Sequence, residues 1–150
     1  FSLQYNPASG IDRMRVGTPP VIALAALEAS LDIWETVDIK DVRETSIQLT
    51  DQFIKGVEQK CPMLQLITPR IPENRGSQVS FSFKHGYAVM QACIERGVIG
   101  DFRAPDVMRF GFTPLFVDSQ DVERASEILA EIMSKDLWND PKFQKRNKVT

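Results

Sequence analysis

Positive charge is not in surplus in this sequence: 18 Lys plus Arg stand against 20 Asp plus Glu in 150 residues, a formal charge of −2. That near-balance supplies no general field for a nucleic-acid backbone, whose binding relies on a basic surface. Long apolar runs are also missing. The longest, Val21 to Leu27, has seven residues, far short of the roughly 20 that span a bilayer. Nucleic acid and membrane are therefore set aside as partners. Cysteine and histidine are scarce, with Cys61, Cys93 and His85 the full set, and they show no metal-ligand spacing. No metal site is expected, and the two cysteines read as reduced thiols of a cytoplasmic protein. Phe1-Ser2-Leu3-Gln4 opens the chain without a signal-peptide pattern, so the sequence reads as a fragment or a processed chain.

What is present suits a folded domain. Hydrophobic residues make up 43% and charged residues 25%. A chain of this length buries about two-thirds of its unfolded surface and needs no disulfide staple.

Residues 1–18 mix Pro7, Gly10 and Gly17 with polar side chains and read as an extended connecting segment. Thr18-Pro19-Pro20 then predicts a helix start, with Thr18 as the N-cap and Pro19 at the first helical position. Val21 to Leu27 is apolar around its whole circumference, so neighbouring structure should bury it, while Leu31, Trp34 and Val37 continue at helical spacing. A second helix follows from Ile39 through Val42, Leu49, Phe53 and Val57. Met63 to Ile67 and the alternating Val79, Phe81 and Phe83 predict two strands, with a Pro- and Gly-bearing loop over 68–77. Val89, Met90, Cys93 and Ile94 predict a short helix that Gly97 ends in a left-handed cap. Val98-Ile99 and Val107 to Phe110 predict two more strands around a turn at Ala104-Pro105-Asp106. Val122, Ala125, Ile128, Leu129, Ile132 and Met133 mark a last helix from Asp118-Ser119 to Ser134. The tail, with Lys142, Lys145, Arg146 and Lys148, reads as frayed. This order predicts an α+β domain, a small antiparallel or mixed sheet covered by helices.

Arg109 stands in an otherwise apolar strand. A permanent charge there must meet an anion or reach water, so it is either a two-pronged grip on a carboxylate or an exposed arginine on an edge strand. Arg103, in the adjoining turn, reads as exposed. Thr18 is either a plain cap or a phosphate contact, and Pro19 and Pro20 remove two of the amides that a phosphate would use. His85 beside Gly86 reads as a helix-start residue, and no serine or cysteine has a base assigned to it by spacing.

Three stretches together resemble the kynureninase family, pyridoxal-phosphate enzymes of the aspartate-aminotransferase fold (fold type I). They are Arg15-Val16-Gly17-Thr18-Pro19-Pro20, Arg75-Gly76-Ser77-Gln78-Val79-Ser80-Phe81, and Arg96-Gly97-Val98-Ile99-Gly100-Asp101 running on through Arg109 to Pro114-Leu115. The resemblance covers Met14 to Met133 in order and implies the C-terminal third of such an enzyme. It implies that residues 1–18 return from the large cofactor-binding domain, 19–38 form a linking helix, 39–135 form the small domain and 136–150 a tail. It implies pyridoxal 5'-phosphate as cofactor and L-kynurenine as substrate, cleaved to anthranilate and L-alanine in tryptophan catabolism. It also implies a homodimer with sites shared between subunits.

By the same resemblance Arg109 binds the substrate α-carboxylate, Thr18 contacts the cofactor phosphate, and Gly17 permits close backbone approach. The Schiff-base lysine, the acid facing the pyridine nitrogen and the stacking aromatic lie upstream of this segment in the family. No catalytic residue is therefore assigned to these 150 residues, and Lys40, Lys55, Lys60 and Lys84 are not given the imine role. Alone, the segment is expected to be inactive. The alternatives are another fold-type I enzyme, such as a cysteine desulfurase or aminotransferase, and a non-catalytic α+β interaction domain.

Overall fold

Two adjacent prolines decide where the first helix begins. In the computed structural model, which describes residues 4, 6–15 and 17–145, helix α1 spans Val21–Trp34, with Pro20 at its N-cap and no side-chain cap. Thr18 is thus not the cap expected from its hydroxyl. A residue preceding proline is pushed out of the helical region, and this acts on Thr18 through Pro19 and on Pro19 through Pro20. Pro19, held out of the helical region by Pro20, is thus barred from the first helical position that a Thr18 cap would require, and the helix starts beyond the pair at Val21.

The chain divides into two compact units, Phe1–Ile39 and Lys40–Thr150. In the first, residues 1–18 are not wholly extended, because Gly10–Met14 forms a 3₁₀ turn without buried residues. Nor is α1 covered: none of its residues is buried, and Ile22 is 88% exposed. The expected burial of its first half is not met among the described residues, because so short a unit has no second apolar layer to offer. Val16, Arg146 and Lys148 lie outside the described residues.

The second unit is built on α2 (Ile39–Lys60), whose Leu49, Phe53, Ile54 and Val57 form one buried face at helical spacing. Phe53 is fully buried, with ring centroids 5.0 Å from Phe110, 5.0 Å from Phe112 and 6.2 Å from Phe81. Removing such a ring from a core costs about 3–5 kcal/mol, so Phe53 is the main link between helix and sheet.

That sheet has four strands, β1 (Gln65–Leu66), β2 (Gln78–Ser82), β3 (Asp101–Arg103) and β4 (Val107–Gly111), all antiparallel in the order β1-β2-β4-β3. The strand expected over Met63 to Ile67 is shortened to two residues. Val79 and Phe81 of β2 and Met108 and Phe110 of β4 point into the core. Alternation sends Ser80 and Arg109 to the other face.

Helix α3 (Gly86–Glu95) ends as its sequence predicts, with Gly97 at φ 87°. The Val98 N–H donates to the Cys93 carbonyl at 2.9 Å and the Gly97 N–H to the Ile94 carbonyl at 3.0 Å, the paired bonds of a Schellman cap. This bonding corrects the strand expected at Val98-Ile99. Val98 is still closing the helix, so β3 starts at Asp101.

Helix α4 (Ser119–Ser134) begins at a reciprocal capping box. The Asp118 carboxylate accepts from the Gln120 and Asp121 amides at 2.8 and 3.0 Å, while Asp121 accepts from the Asp118 amide at 3.2 Å. The tail is corrected over its described part: Leu137–Asn139 forms a 3₁₀ turn and Pro141–Gln144 a helix, α5. Phe143 supplies the reason, since its ring is only 8% exposed within the core cluster and holds the segment down. The result is an α+β unit with helices on one face of an antiparallel sheet.

Candidate functional site

A β-hairpin places a carboxylate against the suspicious arginine. Strands β3 and β4 pair so that Asp101 lies opposite Arg109, each four residues from Pro105, and directly opposed residues share a sheet face. The Arg109 Nε donates to Asp101 Oδ2 at 3.1 Å, and Nη2 donates to the same oxygen. Arg103 Nε approaches that oxygen at 3.2 Å. Arg109's hydrogen bonds hold the Asp101 carboxyl below the usual carboxylate range, with Arg103 adding to the effect.

On its other side Arg109 is opposite Ser80 of β2, whose Oγ lies 3.2 Å from Gln78 Nε2, the donor. Arg109 is therefore on an inner strand of the sheet, not the edge strand that the bland reading supposed. Its side chain is 30% exposed, so it is fixed by neighbours yet reachable. Two guanidinium groups share one carboxylate, leaving one positive charge for an incoming anion. Asp101 was not singled out in the sequence. The hairpin turn was visible, and reflecting Arg109 through Pro105 gives Asp101.

Gly17 and Thr18 lie in the first unit and are exposed. A side chain built at Gly17 meets nothing within 4 Å, so this unit alone shows no close backbone approach there. The nearby start of α1 has no side-chain cap and no acid in its first turn, and the Leu24 amide is the first to find a helical acceptor, Pro20 O at 3.0 Å. Free amides and the positive end of a helix suit a phosphate dianion. The donor set fits such a group.

Arg75, quoted above only as the start of a motif, is a structural centre. Its side chain is 2% exposed and paired with Asp51 of α2. It also donates to the Pro69 carbonyl at 3.2 Å, the Thr50 hydroxyl at 3.4 Å and the Arg70 carbonyl. It ties the loop before β2 to α2, and nothing in the local pattern marked it.

His85 occupies the N-cap position of α3, as read, and stacks on Trp138 with centroids 4.6 Å apart. Both cysteines are free and buried. Burial pushes the Cys61 thiol up to about 11 and, with Cys61 nearby, the Cys93 thiol up to about 12. Neither is a nucleophile at neutral pH. Among the described residues no group of His, Cys, Asp and Glu is arranged to hold a metal ion, and no helix is long and apolar enough to cross a membrane.

The fold defines the class first. The chain superposes on a NifS-like protein with a TM-score of 0.64 over 87% of this chain and 38% of that one, at 18% identity. It thus has the small α+β architecture of fold type I.

Residues 42–129 match the model of the kynureninase C-terminal domain. The chain is 48% identical over 149 residues to kynureninase of Pseudomonas fluorescens, covering 98% of this chain and 36% of that protein. It is 44% identical to kynureninase of Burkholderia mallei, covering 100% of this chain and 37% of that one. The chain belongs to the kynureninase family and spans little more than a third of the length of these relatives.

Proposed function

We propose that this chain is the C-terminal part of a pyridoxal-phosphate hydrolase that cleaves L-kynurenine with water to anthranilate and L-alanine. The observation that carries the reading is Arg109, half-sheltered on an inner strand and aimed from the polar face of the sheet. A guanidinium so placed binds the substrate α-carboxylate through parallel charge-assisted hydrogen bonds and orients the α-carbon. Its contribution is positioning, not proton transfer. Thr18 and the free amides at the start of α1 would hold the cofactor phosphate, with Gly17 leaving room for backbone approach. When bound, the cofactor supplies an electron sink for bond cleavage next to the α-carbon.

The cofactor-binding lysine, the acid facing the ring nitrogen and the stacking aromatic belong to an upstream large domain. That domain, or a second subunit of a homodimer, covers the exposed apolar surface of α1 and completes the site. Without it the segment is inactive. The enzyme acts in the cytoplasm, in tryptophan breakdown.

Anthranilate fluorescence tests the reading, with L-kynurenine and pyridoxal phosphate added to the full-length protein that carries this segment. We expect a rising signal, and Arg109→Ala should lower kcat/KM by roughly 150- to 25,000-fold, from loss of two charge-assisted bonds of about 1.5–3 kcal/mol each. A silent full-length protein, or an Arg109→Ala variant with unchanged kinetics, would reject it. Alanine plus persulfide, or a keto acid, in place of anthranilate would indicate another fold-type I chemistry.

A further inference from the structure

We propose that Asp101 is a positioning residue that holds one edge of the Arg109 guanidinium and turns the other edge toward the substrate carboxylate. The inference rests on the carboxylate-binding reading of Arg109 given above.

A guanidinium offers five N–H donors in a rigid plane, with a side edge made by Nε and Nη2 and an end edge made by Nη1 and Nη2. Asp101 Oδ2 takes Nε at 3.1 Å and also Nη2, so the side edge is already used. Among the described residues nothing takes Nη1 of Arg109. One proton on Nη2 and both on Nη1 remain, and the Nη2 proton with the Nη1 proton parallel to it forms the fork that a carboxylate accepts with two parallel bonds. The ligand must therefore bind end-on.

The backbone fixes this arrangement. Asp101 is directly opposite Arg109 in the β3–β4 register. The residue before it, Gly100, lies so close to β4 that an added Cβ would be 2.8 Å from the Arg109 carbonyl oxygen. A side chain with four rotatable bonds is thus held by a neighbour that has little room to shift. Arg103, at 3.2 Å from the same Oδ2, keeps the cluster one positive charge in excess, which matches a monoanionic carboxylate.

Two effects of removing the Asp101 charge have opposite signs, and this makes the idea testable. Losing a negative charge would strengthen anion binding by simple attraction. Losing the hydrogen bonds would release the guanidinium and weaken it. The Asp101 side chain is 48% exposed, so solvent screens the first effect, and the second should win.

The experiment uses the full-length protein with Asp101→Asn and Asp101→Glu, and two readouts. One is steady-state turnover of L-kynurenine; the other is calorimetric binding of β-benzoylpropanoate, an amine-free γ-keto acid, beside its primary amide. Asp101→Asn should raise KM and weaken the acid by about 5- to 50-fold. The rise in KM should exceed the fall in kcat, amide binding should hold, and the melting temperature should fall by only a few degrees, because the lost ion pair is half exposed. Asp101→Glu should fall between the two.

Unchanged or tighter binding of the acid by Asp101→Asn would overturn the inference while leaving the carboxylate reading intact. If Asp101→Asn does not fold, Asp101→Glu decides, and wild-type KM in that variant overturns the inference. A wild type that neither converts L-kynurenine nor binds the acid rejects the carboxylate reading itself, and the role of Asp101 with it.

Discussion

Arg75 and Asp51 form an ion pair in which the guanidinium is 2% exposed and the carboxylate 39%. The burial is lopsided, so the two partners differ in what their loss exposes. Without Asp51 a buried charge is left short of its anion. Without Arg75 the carboxylate can rehydrate, but the Pro69 and Arg70 carbonyls and the Thr50 hydroxyl lose a shared donor. Arg75→Met should therefore destabilise the protein by about 2–4 kcal/mol. Urea unfolding checks this, and a loss below about 1 kcal/mol would contradict the role given to Arg75.

Gly100 has a steric duty that no other residue can fill without movement. A Cβ there would lie 2.6 Å from Met90 Cε and 2.8 Å from the Arg109 carbonyl oxygen. The methionine end can swing away, whereas the backbone oxygen cannot do so without disturbing β4. Gly100→Ala should cost about 1–3 kcal/mol of stability and shift the Asp101 and Arg109 resonances in a heteronuclear correlation spectrum. A spectrum unchanged around β3 and β4 would count against the close approach.

The two thiols should resist alkylation in the native protein. With values pushed up to about 11 for Cys61 and about 12 for Cys93, about one thiol in ten thousand or fewer is ionised at neutral pH. Iodoacetamide followed by intact-mass measurement should find both unmodified in buffer and both modified in urea. Rapid labelling of either one in buffer would show that the core opens locally.

Acid should loosen the surface pairs in a defined direction. Asp101, held low by Arg109, and Glu131, held low by Lys135 and then Arg96, have folded-state values below their unfolded ones. Their stabilising effect is present above the ordinary carboxylate range of about 4 and is lost as pH falls through the lowered values. Stability measured by urea titration should therefore decline below about pH 4. Asp101→Asn together with Glu131→Gln should flatten that decline, and an identical profile in the double variant would dismiss both pairs as contributors.

Some elements were legible because their cause is local. The end of α3 depends on Gly97 alone accepting a left-handed conformation, and the start of α4 depends on Asp118 and its neighbours within one turn. The strand at Val98-Ile99 was misplaced because the same cap extends through Val98, a bond pattern that apolar character does not reveal. The tail was misread because Phe143 is a single aromatic among charges, and only its burial at 8% exposure shows why the segment is ordered. Arg109 was legible as an anomaly, since a charge in an apolar strand needs an explanation.

By itself the sequence determined the α+β class, the helix faces and the family resemblance, because periodicity, caps and motif order are properties of neighbouring residues. Tertiary structure decided that Arg109 lies on an inner strand with Asp101 on its side edge, that Arg75 is buried against Asp51, and that Ser80 stands opposite Arg109. Strand register, which a one-residue slip would reverse, brings Asp101, Arg109 and Ser80 onto one face. The Arg75–Asp51 pair joins a loop to α2 across 24 positions of the chain, and neither relationship is a property of neighbouring residues.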